Sequence, residues 1–425
     1  DNWLSKVYIV TSDETFISDL RQANFGNAIS NIEEIPEPQL CYTPNDYSLA
    51  WSQTDLDLIK AKEAWDIIGS IPRIPIGVTD QPFDTTHPDL CGQFIDVIGK
   101  GYATDYHGTS VSGILGAITN NGIGLSSVSL GAKIYASNNY VSSEVLKLAQ
   151  LGCKVINCSW TYRCHYIVAD DTLYRQLRDD WNTVVVFAAG NNPYPDCGAA
   201  GLGGKAYPAS YPSVLSVTSI GHAQPIGSTG KLYGLDNWAD CFDAIIGDST
   251  SGYMRNSAVD VCAPGYKVPV LMDATSGGYD AQSGTSFAAP LVTATVCLMR
   301  SINPCLSAVE VMQMVKDAAD TSIYSIPYNQ RYRGRLGTGR LDVAKSCLLA
   351  AQTATKTLNV PTIFNSSTIV KANYAIKNTS SVLVKNSANV QFKARHNIEL
   401  NAGFEVELGA IFSAEIDPNL TVSCE

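Results

Sequence analysis

Charged side chains are scarce in this chain of 425 residues, at 16% of the sequence, and cationic ones are scarcer than anionic ones. The 29 Lys and Arg against 40 Asp and Glu leave a formal net charge of −11 at pH 7. Nucleic acids and anionic membranes attract clustered Lys and Arg, so this balance argues against both as partners. The acidity indicates a soluble surface and identifies no substrate.

Long apolar runs are also missing. No segment approaches the roughly 18 to 20 apolar residues that a membrane-spanning helix needs. The first residues lack the pattern of a basic start, an apolar core and a small-residue cleavage site. We therefore expect a soluble monomer without a membrane span that, if exported, is already processed. The hydrophobic content of 45% predicts a sizeable core, and the length fits one large domain with one or two smaller modules.

Metal-cluster spacing of the C-x-x-C type is absent, although the chain has twelve cysteines. An even number spread along the sequence favours disulfides and an oxidising compartment. The alternative is that several cysteines are small buried hydrophobic residues. Cys305 with Cys347 is one candidate pair, because it would join two helices near the end of the main domain.

Short β-branched runs alternate with helix-like segments between residues 71 and 352. The pattern predicts strands at 74–79, 133–136, 155–159, 184–188 and 214–220, and helices at 108–118, 143–151, 171–181, 286–300 and 307–319. Near-continuous apolar strands separated by helices predict an α/β fold with a parallel sheet covered by helices on both faces. An additional helix pattern precedes it at 56–68.

The two ends of the chain differ from this middle part. Residues 1–45 contain a strand, helix and strand pattern that ends in prolines. From residue 357 the helix signal disappears, and alternating polar and apolar residues with Asn-rich turns predict a small all-β module. We therefore expect three regions, at 1–45, 46–352 and 357–425.

Three polar residues stand where strands end or helices begin. Asp80 ends the apolar run IGVTD, His107 opens a helix in HGTS, and Ser286 follows the glycine turn in SGTS. A serine nucleophile needs a base for its proton and a carboxylate to orient that base. The carboxyl edge of a parallel sheet would bring all three together.

This set, in the order Asp80, His107 and Ser286, resembles the subtilase family of serine endopeptidases over about residues 50–352. The resemblance implies that Ser286 is the nucleophile, His107 the base and Asp80 the orienting group, with a protein or peptide substrate. It also implies that the Asn191 side chain, at the end of VVVFAAGN, and the Ser286 N–H stabilise the oxyanion. A simple strand-terminating turn is the alternative reading of Asn191.

Two segments resemble the family's substrate-cleft walls. Ser159, Trp160 and Thr161 would pair with an extended peptide, and Ala188, Ala189 and Gly190 would form the facing wall of a side-chain pocket. Trp160 could instead be part of the core.

A structural calcium site is also implied by the resemblance, while catalysis would need no cofactor. Its ligands would be Asp89, the side chain of Asn121 and the backbone oxygens of Thr119, Ile123 and Leu125. An ordinary Asn-Gly turn is the alternative.

The resemblance extends to both ends. Residues 1–45 are similar to the last part of a subtilase propeptide, with an N-terminal structural arm as the alternative. The C-terminal module resembles stacked-strand modules of secreted Gram-negative bacterial proteins, which implies a secreted or cell-surface bacterial protein.

The family pattern is not matched at Gln81, Pro82, Ser110 and Thr161, which leaves the substrate preference and the rate open. The leading hypothesis is a secreted serine endopeptidase. The alternatives are a narrow-specificity processing protease or peptide ligase, and an inactive or weakly active binding or adhesion protein.

Overall fold

The computed structural model describes residues 42–99, 106–191, 204–221, 253–272 and 278–424. The predicted propeptide-like segment or arm at 1–45 lies outside these residues except for its last four positions. The helices are α1 (Thr54–Leu58), α2 (Ala61–Ile68), α3 (His107–Gly116), α4 (Ser142–Gln150), α5 (Val168–Asp179), α6 (Thr285–Ile302), α7 (Ala308–Ala318) and α8 (Val343–Ala354). Two short 3₁₀ helices, Thr321–Ser325 and Pro327–Tyr332, lie between α7 and α8.

Seven parallel strands form the central sheet, in the order β2-β3-β1-β4-β5-β6-β7. They are β1 (Ile76–Thr79), β2 (Phe94–Ile98), β3 (Ile134–Ser137), β4 (Val155–Cys158), β5 (Val184–Ala188), β6 (Leu215–Ile220) and β7 (Val261–Pro264). A small antiparallel hairpin, β8 (Val268–Leu271) and β9 (Tyr279–Gln282), precedes α6. The predicted α/β fold with a parallel sheet is confirmed.

The helices cover both faces of this sheet. Successive strand residues point to opposite faces, and both sets are apolar, so each face is buried against helices. On β5, Val184 and Val186 belong to the core shared with α2, α3 and α6. Val185 and Phe187 belong to a second core, shared with α4 and α5. Among the described residues, only α6 has the length and apolar composition of a membrane span, and it is completely buried inside the fold.

The C-terminal module consists of nine short strands in three parallel three-stranded sheets. They are β10 (Lys356–Leu358), β11 (Thr362–Phe364), β12 (Thr368–Ala372), β13 (Ala375–Asn378), β14 (Val382–Val384), β15 (Asn389–Ala394), β16 (Asn397–Glu399), β17 (Phe404–Val406) and β18 (Ile411–Ile416). Every third strand pairs, as in β10-β13-β16, so the chain coils through three turns of about 20 to 22 residues. The predicted all-β module is therefore a three-sided parallel β-solenoid, with Phe392 in its core.

The solenoid is docked on the sheet domain by contacts at its corners. The Tyr374 hydroxyl donates to the Ile67 carbonyl at 3.1 Å, and the His396 ring stacks on Tyr374 at 4.6 Å. Arg395 donates from Nη1 to the Ser301 carbonyl at 2.7 Å. These contacts join the module to the end of α2 and the end of α6.

One disulfide is described, and it joins the two domains through Cys305 and Cys424. The candidate pair Cys305 with Cys347 is therefore wrong, because the end of the chain folds back onto Cys305. Cys347 is a free, buried residue of α8. Cys153, Cys158, Cys262 and Cys297 are buried as well, as expected of small hydrophobic side chains.

Candidate active site

Asp80 lies directly after β1, a strand in the middle of the sheet. Its backbone N–H donates to the Ser137 carbonyl at the end of the neighbouring β3, at 3.0 Å. The residue is only 4% exposed. Its Oδ1 accepts hydrogen bonds from the Gln81 N–H at 2.8 Å and from His107 Nδ1 at 2.7 Å. A buried carboxylate in this position holds the imidazole in one orientation and in the tautomer with the proton on Nδ1.

His107 is the first residue of α3. The next two residues of this helix are hydrogen-bonded to the residues that follow Asp80. The N–H groups of Gly108 and Thr109 donate to the carbonyls of Gln81 and Pro82, at 3.3 and 3.1 Å. A Cβ on Gly108 would lie 2.5 Å from the Pro82 carbonyl oxygen, so this approach requires glycine. These bonds use only the backbone carbonyls of Gln81 and Pro82, so they do not depend on the two side chains that differ from the family pattern.

Ser286 is the second residue of α6 and lies at the same edge of the sheet. Its Oγ donates to the Ser159 carbonyl at 3.3 Å, and the Ser159 Oγ donates to the Ser286 carbonyl at 2.9 Å. The next residue, Phe287, places its ring 5.6 Å from the His107 ring. The fold therefore places Ser286 at the sheet edge that holds the Asp80–His107 pair, although the three residues come from distant parts of the sequence.

The side-chain amide of Asn191 is oriented by the residue before Ser286. Its Oδ1 accepts from the N–H of Thr285 at 2.9 Å and from the Thr285 Oγ1 at 3.1 Å. Because both groups donate, Oδ1 faces the helix and Nδ2 remains as the donor end of the amide. A Cβ on Gly284 would lie 3.2 Å from this Nδ2, which places the amide over the turn that leads to Ser286.

Thr285 is a residue whose role the sequence reasoning missed. Besides the bonds to Asn191, its Oγ1 accepts from the Gly190 N–H at 3.1 Å and so connects the end of β5 with the start of α6. The hydroxyl stands within the SGTS motif, but only the folded chain reveals its partners.

The two predicted substrate walls occupy different environments. Trp160 is half-buried, packs edge-on against Phe187 at 5.0 Å and donates from Nε1 to Thr79 Oγ1 at 2.8 Å. Its ring therefore contacts the second core. Thr161 Oγ1 donates to the Tyr207 carbonyl at 2.9 Å. At the end of the neighbouring strand β5, Ala188 and Ala189 are buried, and Gly190 has a positive φ of 110°.

The predicted calcium ligands Asp89 and Asn121 lie together, but they face each other through a hydrogen bond. Asn121 Nδ2 donates to Asp89 Oδ1 at 2.8 Å, and the Leu125 N–H donates to Asp89 Oδ2 at 3.0 Å. Asn121 Oδ1 accepts from the Ile123 N–H at 3.0 Å. As arranged, N–H groups rather than oxygens face the carboxylate, so the residues do not present the predicted oxygen set. The hydroxyl of Thr119 contacts Ser127, in the same loop.

A second buried carboxylate near this loop was not anticipated from the sequence. Asp46 is completely buried, and its Oδ2 accepts from the Asn121 N–H at 3.0 Å. Burial raises the pKa of Asp89, and the negative charge of Asp46 adds to that rise. No group of three or more His, Cys, Asp or Glu side chains suited to a metal occurs in the described parts of the chain.

A seven-stranded parallel sheet with an Asp–His pair and a serine at a buried helix start defines a subtilisin-like α/β protein. Residues 73–354 match the sequence model described as the subtilase family, peptidase S8, and the chain belongs to this family of serine proteases. The predicted resemblance is confirmed.

Two curated relatives are 30% identical to this chain. The thermophilic serine proteinase of Bacillus sp. (strain AK1) aligns over 301 residues, which are 66% of this chain and 64% of that protein. Thermitase of Thermoactinomyces vulgaris aligns over 298 residues, 66% of this chain and 92% of the relative. Fervidolysin of Fervidobacterium pennivorans is 27% identical, and only 43% of its length is covered. The chain thus spans less than two thirds of some of these relatives.

A solved structure shows the same fold. It is that of a protease from Pseudoalteromonas arctica PAMC 21717, with a TM-score of 0.55 and 20% sequence identity. The similarity covers 73% of this chain and all of that chain.

Proposed function

We propose that this protein is a serine endopeptidase that hydrolyses peptide bonds with Asp80, His107 and Ser286 as its triad. The observation that carries the proposal is the 2.7 Å hydrogen bond from His107 Nδ1 to the buried Asp80, at the sheet edge that also holds Ser286. Membership of the subtilase family supports the same reaction class.

In the proposed mechanism, Ser286 Oγ attacks the scissile carbonyl carbon while His107 Nε2 accepts the hydroxyl proton. The resulting oxyanion is stabilised by Asn191 Nδ2 and by the Ser286 backbone N–H. His107 then donates the proton to the leaving amine, which departs and leaves an acyl-enzyme. Water, deprotonated by His107, hydrolyses the ester and restores Ser286. Asp80 stays ionised and stabilises the imidazolium formed in each half of the reaction.

An extended peptide is the substrate that the cleft residues favour. We propose that the backbone of Ser159, Trp160 and Thr161 pairs with the peptide, and that Ala188, Ala189 and Gly190 form the opposite wall. Small side chains at 188–190 leave room for a sizeable substrate side chain. The core contacts of Trp160 support a role in holding this edge in place rather than in touching substrate through its ring.

Fluorophosphonate labelling tests the nucleophile directly. Wild-type protein should be labelled, Ser286→Ala should not, and the matched control Ser322→Ala, at an exposed position, should be labelled like wild type. Failure of wild type to react, alongside a reactive subtilisin control, would favour a binding or adhesion protein. Labelling that survives Ser286→Ala would place the nucleophile elsewhere.

Sequencing the products of a mixed peptide pool defines the reaction further. Cuts at many sites are expected of an endopeptidase of broad specificity. A single recognised motif would indicate a narrow processing protease, and joined peptide ends would indicate a ligase.

We further propose that residues 46–352 form the catalytic domain, that 357–425 form a separate module, and that the protein works outside the cytoplasm. The disulfide between Cys305 and Cys424 supports an oxidising compartment. A relative named cell wall-associated protease, from Bacillus subtilis and 26% identical over 264 residues, agrees with a secreted or cell-surface bacterial location.

The calcium site is proposed on the two buried carboxylates Asp46 and Asp89 and on their contacts with Asn121. Binding would require the Asn121 amide to rotate so that Oδ1 faces the ion, with backbone oxygens of Thr119, Ile123 and Leu125 completing the set. A rise in melting temperature on adding calcium, lost in Asn121→Ala, is expected. An unchanged melting temperature would leave the ordinary Asn-Gly turn as the explanation.

A further inference from the structure

A cavity of about 310 Å³ lies at the junction between the sheet domain and the solenoid. The sheet domain contributes Arg300 and Ser301 at the end of α6, and the solenoid contributes Asn373 and Arg395 at its corners. The segment 419–422, which leads to Cys424, closes another side. Arg300 follows Ser286 by 14 helical positions, or about 21 Å at 1.5 Å per residue, so this cavity is remote from the proposed catalytic residues.

Arg300 is buried without a matching anion. It is 2% exposed, and its Nη2 donates to the neutral Asn182 Oδ1 at 3.0 Å. Its Nε is buried and has no hydrogen-bond partner within the described residues. A buried guanidinium with an unused donor is costly, because the group has lost water without gaining a partner.

Arg395 enters the same cavity and is also held by neutral groups. It is 9% exposed, and its Nε and Nη1 donate to the carbonyls of Pro418 and Ser301, at 3.0 and 2.7 Å. In the described parts of the chain, neither arginine has a carboxylate within ion-pair distance. Asp417 and Glu310 act on them only at longer range.

Guanidinium groups remain cationic in proteins, because their pKa lies far above neutral pH. Burial lowers the pKa of Arg395, and it lowers the pKa of Arg300 to about 10, which is still well above neutral pH. Two positive charges therefore line one cavity that has no acidic residue in its described wall. Such a site favours a bound anion, which would offset the charge of the two guanidinium groups.

The rest of the wall limits what kind of anion fits. Pro72, Ile74, Pro304, Leu420 and Val422 supply apolar surface. The volume lies at the lower end of the roughly 300 to 1,000 Å³ typical of small-molecule sites, and a lone inorganic ion would leave most of it empty. We propose that this cavity binds a small organic carboxylate with an apolar substituent, such as the C-terminal residue of a peptide.

Calorimetric titration of the full-length Ser286→Ala protein tests the proposal without interference from hydrolysis. N-acetyl-leucine carries the carboxylate and an apolar side chain, whereas N-acetyl-leucinamide has the same shape without the charge. The carboxylate should bind to one site, and the amide should bind at least about tenfold more weakly. Equal affinities, or no binding of N-acetyl-leucine, would overturn the proposal. Tighter binding of inorganic phosphate than of N-acetyl-leucine would also overturn it, in favour of a simple oxyanion site.

A matched pair of variants locates the binding. Asn419→Glu introduces a carboxylate at an exposed residue of the cavity wall, and Asn365→Glu makes the same change at an exposed residue elsewhere on the solenoid. Asn419→Glu should weaken N-acetyl-leucine binding at least about tenfold, because its own carboxylate occupies the arginines. Asn365→Glu should leave the affinity unchanged. Unchanged binding in both variants would contradict the assignment, and because both positions are exposed, folding is not at risk. The result is independent of whether Ser286 is the catalytic nucleophile.

Discussion

Thr285 donates two hydrogen bonds to one atom, Oδ1 of Asn191, from its backbone N–H and from its hydroxyl. This pairing orients the side-chain amide of Asn191, which follows β5 and lies 94 positions before Thr285 in the chain. The residue adjacent to the proposed nucleophile thereby also sets the direction of the proposed oxyanion donor.

Replacing Thr285 with Val should lower kcat by roughly tenfold while KM changes little. The change removes the hydroxyl donor to Asn191 and leaves the Gly190 N–H without its acceptor, at a cost of about 1 to 3 kcal/mol in stability. Thr285→Ser keeps the hydroxyl and is the matched control. Steady-state kinetics and thermal unfolding of both variants check this positioning role. A Val variant that keeps the wild-type kcat would exclude it.

Replacing Asn191 with Ala should have a larger effect on turnover. Removal of the corresponding oxyanion donor in subtilisin costs about 10²- to 10³-fold in kcat, and we expect a loss of the same order with KM nearly unchanged. Asn359→Ala, at an exposed position of the solenoid, is the control. If kcat falls no further than in the control, the oxyanion contact must come from another group.

Asp55 makes stability depend on pH. The residue is 3% exposed, its Oδ1 has no partner among the described residues, and burial raises its pKa to about 7. Because the folded state then binds a proton more tightly than the unfolded state, stability should fall as pH rises from about 4 to about 7. The loss is about 1.4 kcal/mol for each unit by which the folded pKa exceeds the unfolded value.

Asp55→Asn should remove this dependence. Denaturant unfolding should show the variant more stable than wild type above pH 7 and similar to it below pH 4. Asp180→Asn, which changes an exposed aspartate, should follow the wild-type curve. A variant curve parallel to wild type across this range would show that Asp55 is not the group responsible.

Cys424→Ser should destabilise the attachment of the solenoid. The disulfide spans 119 positions, and in the chain-entropy view a loop of this length contributes about 5 kcal/mol. Thermal unfolding should show an earlier transition in the variant, and reductant should have the same effect on wild type. The exposed Cys91→Ser serves as control. Equal melting in oxidised and reduced wild type would count against the role of this bond.

Local patterns predicted the middle of the fold well. The β-branched run at 184–188 matches β5, and the small and apolar residues after Ser286 match the buried α6, extended to Thr285–Ile302. The helix pattern at 56–68 is interrupted in the structure at Lys60, which adopts a positive φ of 59° between α1 and α2. No residue type at that point signals a left-handed turn.

The strands β2 and β7 were not predicted, because their sequences have weaker strand patterns. Half-exposed residues make up β2, because it is an edge strand, and β7 is a four-residue strand that ends in Pro264. Of the predicted triad, Asp80 and His107 are hydrogen-bonded at 2.7 Å, whereas Ser286 Oγ donates to the Ser159 carbonyl at 3.3 Å. The partners of Thr285 and the arginine-lined cavity depend on segments brought together only by the tertiary fold.

The disulfide between Cys305 and Cys424 constrains the number of turns that the solenoid can have. Adjacent parallel strands are about 4.8 Å apart, so one added turn of about 22 residues before Asp417 would shift the final segment by that distance. The Cα atoms of the two cysteines are 5.2 Å apart, and a disulfide rarely spans more than about 6.8 Å. Gain or loss of a whole repeat during evolution would therefore have to be accompanied by loss of the bond or by a compensating change in the last residues.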